Sequence, residues 1–297
     1  MLQYMLEKFQ DTHNARRNGS SLETDLPKPF IQWVGGKREM LDQYKEFFPK
    51  KIETYFEPFL GGGAVFFHLL PKKAFLSDIN DELLITYEAV RDTPEETINI
   101  LRLLKNKHSK DLYMTIRKID RELDIMKDLE KCEVAARFIY LNQAGFNGLY
   151  RVNKKGQFNV PIGSSLNRLI CDEHTIRIAS KVLKNINIEC VDFQAALEKA
   201  KKGDFVYLDP PYYPIAKYSD FNRYTKEKFY KHDQERLKKV FDKLSSHGVM
   251  VMLSNSAARF IRDLYKDYKT IEVKSSRTLN SRKELRGKVT ELLILNY

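Results

Sequence analysis

Cysteine and histidine are scarce in this 297-residue chain, and their spacing excludes several kinds of site. The three cysteines, Cys132, Cys171 and Cys190, are odd in number and far apart, which fits neither a disulfide framework nor a zinc cage. The six histidines form no H-x-x-H or H-E-x-x-H pair of the kind that binds zinc. We therefore expect a protein of the reducing cytoplasm that uses no metal.

Long apolar runs are also missing. No segment approaches the ~18 uninterrupted apolar residues of a membrane span. The first 27 residues lack the basic start, apolar block and small-residue cleavage site of a secretory signal. Residues 1–27 are instead expected to form a short amphipathic piece and a flexible polar extension, and no membrane partner is predicted.

Basic residues outnumber acidic ones. The 51 lysines and arginines against 40 aspartates and glutamates leave a net charge of +11. A surplus of this sign is typical of proteins that bind a polyanion. Nucleic acid is therefore the favoured partner.

Short apolar runs alternate with longer helical patterns, which predicts a parallel α/β sheet. The candidate strands are residues 54–59, 74–78, 186–192, 204–209, 249–254, 269–274 and 290–296. Between the second and third strands, helical periodicity covers residues 81–92, 94–107 and 133–143. An irregular segment, 144–163, follows and mixes basic, aromatic and glycine residues. It is either an ordinary surface loop or hairpin, or a segment that contacts nucleic acid.

A glycine-rich turn, Gly61–Gly63, lies between the strand that ends at Phe59 and an apolar helical pattern. Glycines at such a turn let the backbone approach a ligand closely, although a turn made for tight packing looks the same. Asp78 ends the next strand, where nucleoside-binding folds place a carboxylate for the ribose hydroxyls. Asp78 could instead cap the following helix, a role that Asn80 can also fill. Together these features favour a cofactor that contains a nucleoside.

The stretch YLDPPYY, residues 207–213, places an acid, two prolines and an aromatic ring directly after a buried strand. An exocyclic amine on a purine or pyrimidine is a poor nucleophile because the ring delocalises its lone pair. Asp209 and the carbonyl of Pro210 could accept the two amino hydrogens, while Pro211 stiffens the corner and Tyr212 stacks on the base. The alternative is a strand that merely ends at prolines beside a capping aspartate.

The order of these motifs resembles the Dam-like (D12 class) DNA adenine-N6 methyltransferases. The resemblance covers roughly residues 28–297 and includes PFIQWVGGKREML, FEPFLGGGAVFF, LSDINDELLI, FNGLYRVNKKGQFNVPIG, GDFVYLDPPYY, MLSNS and LRGKVTELLILNY. It implies a Rossmann-like, S-adenosylmethionine-dependent methyltransferase sheet of about seven strands, formed by 28–83 and 171–297. Residues 84–170 would then be an inserted, mainly helical target-recognition domain.

The resemblance also implies roles for individual residues. The implied contacts to S-adenosylmethionine, whose product is S-adenosylhomocysteine, are Trp33, Lys37, Glu57, Phe59, Gly61, Gly62, Gly63, Asp78, Ile79, Asp192, Phe193 and Asp209. The implied contacts to double-stranded DNA are Gln32, Phe146, Asn147, Leu149, Arg151, Asn153, Arg277, Arg282, Arg286 and Lys288. Phe146 would be the wedge in the duplex.

The family's hairpin motif implies GATC as the target, which is also the target of methylases in restriction systems. The resemblance therefore allows either a methylase that is paired with a cognate endonuclease or an orphan methylase. One departure concerns Gln32, because relatives commonly carry lysine at that position. Two alternatives stay open: methylation of an RNA base or a glutamine amide, and a catalytically silent DNA-binding module. Asp209 argues against the first because those enzymes typically use asparagine there. The intact Asp209, Lys37 and Asp78 argue against the second.

Overall fold

A computed structural model describes residues 2–7, 9, 26–164, 169–215, 229–276 and 288–297. The chain divides into two compact units. The first comprises residues 1–35 and 80–188, and the second comprises 36–79 and 189–297. The predicted insertion, 84–170, lies within the first unit, together with residues before Gly36.

The sheet has seven strands in the described part of the chain, in the order β3-β2-β1-β4-β5-β7-β6. The strands are β1 (Tyr55–Glu57), β2 (Ala74–Asp78), β3 (Asn187–Cys190), β4 (Phe205–Leu208), β5 (Met250–Ser256), β6 (Lys269–Ser276) and β7 (Lys288–Leu295). Strand β1 pairs in parallel with β2 and β4, and β4 pairs in parallel with β5. Strand β7 runs antiparallel to both β5 and β6. Each of the seven predicted strands overlaps one of these, which confirms the predicted fold class.

Strands β1 and β4 are neighbours at the point where the strand order changes direction. On one side of this point the sheet continues from β1 to β2 and β3, and on the other side it continues from β4 to β5. Ligands of open α/β sheets bind at the carboxyl ends of the strands that flank such a reversal. The residues that follow β1 and β4 are the glycine-rich turn and Asp209, respectively. The topology therefore places the two strongest sequence motifs at the same edge of the sheet.

The core of the second unit lies between this sheet and the helices that cover it. Strand β4 is buried at all four positions, as expected for a strand covered on both faces. The helices of this unit are α2 (Leu41–Tyr44), α3 (Ala64–Leu69), α10 (Phe193–Ala196), α11 (Lys231–Ser246) and α12 (Arg259–Leu264). From α11, Leu237, Phe241 and Leu244 join the apolar cluster that also contains Val206 and Val251. This packing fixes the strand that ends at Asp209.

The first unit is mainly helical in its described part. Its helices are α1 (Leu2–Leu6), α4 (Asp81–Asp92), α5 (Pro94–Asn106), α6 (Lys110–Lys118), α7 (Leu123–Asp128), α8 (Lys131–Ala144) and α9 (Glu173–Leu183). The three predicted helical segments are confirmed as α4, α5 and α8. Asn80, not Asp78, caps α4, because its side chain accepts a hydrogen bond from the Leu83 N–H. Helix α8 is buried along nearly its whole length and is the centre of this unit.

The irregular segment after α8 folds back on itself as a hairpin. Isolated β-bridges join Gly145 to Ile162 and Val152 to Phe158. The Asn159 N–H donates to the Arg151 carbonyl across the hairpin at 3.0 Å. Of the two structural alternatives for this segment, the structure therefore shows a hairpin.

Candidate active site

Asp209 follows β4 directly, and both of its carboxylate oxygens accept hydrogen bonds. Lys37 Nζ lies 2.7 Å from Oδ2, and the Ser254 hydroxyl donates to Oδ1 at 2.8 Å. The Tyr207 hydroxyl lies 3.1 Å from Ser254 Oγ and forms a hydrogen bond with it. The acid that the sequence singled out is thus held by strands β4 and β5 and by the segment that contains Lys37.

Burial and charge act on Asp209 in opposite directions. Burial raises the pKa of the Asp209 carboxyl above its ordinary value, whereas the Lys37 ammonium and the Ser254 hydroxyl lower it. The Lys37 side chain is only 4% exposed and the Asp209 side chain 21%, so solvent screens this ion pair weakly. Lys37 therefore favours the charged form of a carboxyl whose pKa burial raises.

The corner after Asp209 is held from several sides. The Gln234 side-chain amide donates to the Pro211 carbonyl at 2.9 Å, and the Asn255 side chain in turn donates to Gln234 Oε1. Asn255 Oδ1 accepts from the Tyr213 N–H. Tyr212 donates its hydroxyl to Glu291 Oε2 at 2.6 Å, and Lys37 Nζ lies 4.9 Å from the Tyr212 ring centroid. The ring proposed to stack on a base is therefore fixed at its far end.

The glycine-rich turn uses backbone conformations that favour glycine. Gly61 and Gly63 have φ angles of 47° and 64°, in the left-handed region. The Gly61 N–H donates to Asp78 Oδ2 at 3.1 Å, so Asp78 supports the turn at the end of the neighbouring strand. The turn and the acid that the sequence linked to one nucleoside site are in direct contact.

Glu57, at the end of β1, is buried beneath this turn. The Tyr55 hydroxyl donates to Glu57 Oε2 at 2.8 Å. The Phe66 N–H at the start of α3 also donates to Glu57, which replaces the side-chain cap that Gly63 lacks. Burial raises the pKa of Glu57 to about 8, and the negative charge of Asp209 adds to the rise.

Aromatic rings flank the other predicted cofactor contacts. The rings of Phe59 and Phe193 stack with centroids 5.3 Å apart. Asp192 caps α10 through the Gln194 N–H and pairs with Arg236 at 2.9 Å, and the Arg236 guanidinium covers the Phe193 ring. Ile79, after Asp78, is 53% exposed. The structure therefore gathers the contacts predicted for the second unit around the ends of β1 and β2 and the start of α10.

The predicted contacts that lie ahead of Gly36 or in the hairpin belong to the first unit. Trp33 stacks on Tyr150, with centroids 5.5 Å apart, and on Phe138. At the start of the hairpin, Phe146 is 46% exposed, and Asn147 is exposed with φ of 54°.

The arm of the hairpin carries two further predicted DNA contacts. Arg151 donates from Nε to Asn159 Oδ1 at 2.7 Å. The Asn153 side chain is used within the hairpin turn, where its Oδ1 accepts from the Lys155 and Gln157 N–H groups. Leu149 is partly exposed.

Several predicted DNA contacts are not among the residues that the structure describes. Arg277, Arg282 and Arg286 lie outside the described residues, and Lys288 is described only as the first backbone position of β7. Among the described residues, no helix combines the length and apolar character that a membrane span needs. The same residues contain no group of three or more histidine, cysteine or acidic side chains that could hold a metal ion.

The sequence analysis did not predict a role for four side chains around Asp209 and its corner, which are Ser254, Asn255, Gln234 and Glu291. The motif MLSNS offered a signal, because its polar Ser-Asn-Ser continues an otherwise apolar buried strand, and buried polar groups need partners. Gln234 and Glu291 carry no comparable signal, since one lies on an amphipathic helix and the other on a strand near the chain end.

The sequence is similar to proteins of known class along most of its length. It matches the family profile of the D12 class N6 adenine-specific DNA methyltransferases over residues 33–279. It is 43% identical over 274 residues to the type II methyltransferase M1.LlaDCHI of Lactococcus lactis subsp. cremoris, covering 91% of this chain and 95% of the relative. It is 41% identical over 288 residues to the type II methyltransferase M.MjaIII of Methanocaldococcus jannaschii, covering 91% and 99%. It is 31% identical over 270 residues to the DNA adenine methylase of Escherichia coli K12, covering 90% and 95%. The chain therefore belongs to the D12 class of N6 adenine-specific DNA methyltransferases.

Proposed function

We propose that this adenine-specific DNA methyltransferase modifies N6 of an adenine that has rotated out of duplex DNA, with S-adenosylmethionine as methyl donor. The observation that supports the proposal most is the double hydrogen bonding of Asp209, which fixes a carboxylate at the end of a buried strand beside two prolines and Tyr212. An adenine stacked in the duplex cannot reach such a site, so the base must leave the helix, at a cost of a few kcal/mol.

The residues of the second unit fit a nucleoside cofactor with a charged tail. Asp78 offers a carboxylate for ribose hydroxyls at the end of β2, and Gly61 and Gly63 adopt the turn that lets the backbone approach a ligand. Phe59, Phe193 and the exposed Ile79 offer apolar surface for an adenine ring. Bound S-adenosylmethionine would supply the methyl group and leave as S-adenosylhomocysteine.

Asp209 and Pro210 raise the nucleophilicity of the target amine. Asp209 Oδ2 and the Pro210 carbonyl accept the two amino hydrogens, which draws the nitrogen toward tetrahedral geometry and localises its lone pair. Bound S-adenosylmethionine would supply the methyl group to N6 through cleavage of its sulfur–carbon bond, and the proton that N6 loses would pass through Asp209 to solvent. A carboxylate oxygen has two lone pairs, so Oδ2 can accept from the amine while it also accepts from Lys37 Nζ. Tyr212, held by Glu291, stacks on the base without reorganisation during the reaction.

The first unit would read the sequence GATC. Phe146 is exposed enough to enter the duplex as a wedge, and Arg151 would contact guanine O6 and N7 with its guanidinium oriented by Asn159. The resemblance to the family implies lysine at the position of Gln32, and a neutral amide donates to guanine less strongly than an ammonium does. We therefore expect weaker discrimination at the first base than Gln32→Lys would give.

The same proposal includes contacts to DNA phosphates and a partner enzyme. Arg277, Arg282, Arg286 and Lys288 would bind phosphates, which adds affinity that does not depend on sequence. The relatives from L. lactis and M. jannaschii are named type II methyltransferases, which supports a cognate restriction endonuclease that acts on the same site.

Expression in a host without DNA methylation tests the function, with the Asp209→Ala variant as the matched control. Single-molecule sequencing should find N6-methyladenine in GATC for the wild-type enzyme, a lower level at sites with a changed first base, and none for Asp209→Ala. DNA from the wild-type strain should also resist an endonuclease that cuts only unmethylated GATC. Modified adenine in an unrelated sequence would overturn the specificity, and equal methylation by Asp209→Ala would overturn the mechanism.

A further inference from the structure

Asn142, in the last turn of α8, joins two segments of chain that are far apart in sequence. Its Oδ1 accepts from the Gln32 N–H at 2.9 Å, and its Nδ2 donates to the Gln32 carbonyl at 2.8 Å. The same Nδ2 donates to the Gly148 carbonyl at 2.9 Å. Asn142 is fully buried. One amide thus fixes the backbone on both sides of the Gln32 side chain and the backbone between Asn147 and Leu149.

Gly148 leaves room for the Gln32 side chain because it has no Cβ atom. A Cβ atom on Gly148 would lie 1.8 Å from Gln32 Oε1, so the side chain occupies space that any other residue at position 148 would fill. Gly148 also has φ of +63°, which favours glycine independently of this contact. The Gln32 amide in turn donates to Gln143 Oε1 at 3.3 Å. Backbone and side chain of Gln32 are therefore both set by residues of α8 and of the hairpin start.

We infer that Asn142 is a positioning residue for sequence recognition. It sets the distance between Gln32 and the hairpin residues Asn147 and Leu149, so that the two segments read adjacent bases in register. This inference rests on the proposed function, in which Gln32 and the hairpin contact base edges. Direct readout depends on paired donors and acceptors that must meet a base edge within a few tenths of an ångström, so a shift between the two segments would weaken discrimination before it weakened binding.

Asn142→Asp is the sharpest variant because it keeps the shape of the side chain. It retains an acceptor for the Gln32 N–H, but it loses both donated bonds and places an acceptor against the carbonyls of Gln32 and Gly148. Asn106→Asp is the matched control, since it makes the same chemical change at an exposed position in the same unit. Asn142→Ser, which is uncharged, is measured in parallel so that the inference can still be tested if Asn142→Asp does not fold.

The experiment measures kcat/KM of the full-length enzyme on a GATC duplex and on duplexes substituted at each base pair outside the target adenine. Loss of two neutral hydrogen bonds predicts about a ten-fold fall in the ratio of cognate to substituted rates at the bases read by Gln32 and by the hairpin. S-adenosylmethionine affinity and the Asn106→Asp rates should match the wild type. In a Gln32→Ala background, Asn142→Asp should have no further effect at the base that Gln32 reads, while still acting at the hairpin bases.

Two failures are distinguishable. If Gln32→Ala and Arg151→Ala leave discrimination unchanged at every position, the proposed base reading is wrong. If those variants alter discrimination but the Asn142 variants slow all duplexes by one common factor, Asn142 supports the fold alone and the inference is overturned.

Discussion

Lys37 Nζ and Asp209 Oδ2 form an ion pair at 2.7 Å although 172 residues separate them in sequence. The lysine is buried at 4% exposure, so the pair lies largely out of water. Removing one partner of a buried pair leaves an uncompensated charge, which typically costs about 3–5 kcal/mol. The same oxygen is the proposed acceptor for the target amine, which makes Lys37 a residue that sets the charge of Asp209 as well as an expected cofactor contact.

Replacing Lys37 with methionine should shift the pH dependence of catalysis. The carboxylate is the proposed active form, so kcat rises with pH through the pKa of Asp209, and removing the ammonium raises that pKa further. The acid limb of the kcat profile should therefore move to higher pH, measured with saturating cofactor and DNA. Arg38→Met, which removes the same charge from the adjacent exposed residue, is the control. An unmoved acid limb in Lys37→Met would separate Lys37 from the titration of Asp209.

Replacing Ser254 with alanine should lower kcat without changing cofactor affinity. A hydrogen bond to a charged group is worth about 1.5–3 kcal/mol, which corresponds to a roughly ten- to hundred-fold loss. The acid limb should again move to higher pH, because the serine hydroxyl lowers the pKa of Asp209. Ser77→Ala in β2 is the control for removing a fully buried serine hydroxyl. If both variants lose activity equally and neither pH profile moves, the effect is one of packing.

Replacing Glu57 with glutamine should flatten the pH dependence of stability. The folded-state pKa of Glu57 is about 8 against an ordinary value of 4.5, so the folded protein binds this proton more tightly than the unfolded chain does. The free energy of unfolding of the wild type should then fall as pH rises from 4.5 to 8, by about 1.4 kcal/mol per pH unit for a single such group. Urea denaturation at pH 5.5 and 7.5 measures the slope, with exposed Glu46→Gln as the control. Equal slopes in wild type and Glu57→Gln would show that Glu57 ionises normally.

Replacing Asp78 with alanine should weaken cofactor binding. Hydrogen bonds from ribose hydroxyls to a charged acceptor are worth about 1.5–3 kcal/mol, or a roughly ten- to hundred-fold rise in Kd. Asp78→Asn separates this effect from support of the turn, because an amide oxygen still accepts the Gly61 N–H. Isothermal calorimetry with S-adenosylmethionine measures both variants, and Asp81→Ala in the first turn of α4 is the control. Wild-type affinity in Asp78→Ala would remove Asp78 from the cofactor site.

The strands could be predicted because each is a short apolar run with turn residues around it, as buried parallel strands require. Asp209 could be predicted equally well, since it directly follows the apolar run that forms β4. The residues that contact Asp209 and its corner could not be predicted, because Ser254 and Glu291 reach the corner through the order of the strands and Lys37 through the placement of a segment ahead of β1. Strand β5 lies beside β4, and β7 beside β5, and no local pattern encodes that order. Buried contacts such as Tyr55 to Glu57 follow from alternation on one strand, but the raised pKa of Glu57 depends on packing from elsewhere.

The helical unit is assembled from two stretches, residues 1–35 and 80–188, with a block of the other unit between them in sequence. Gln32 comes from the first stretch, whereas Asn142, Gln143 and Gly148 come from the second. On the proposed base reading, an exchange of target preference between two such enzymes by recombination would need crossovers on both sides of that block. A hybrid enzyme that took only residues 80–188 from the other parent would place that parent's residues around the original Gln32. On the proposed base reading, inheritance of specificity would depend on a stretch of sequence that lies ahead of the glycine-rich turn, far from the hairpin itself.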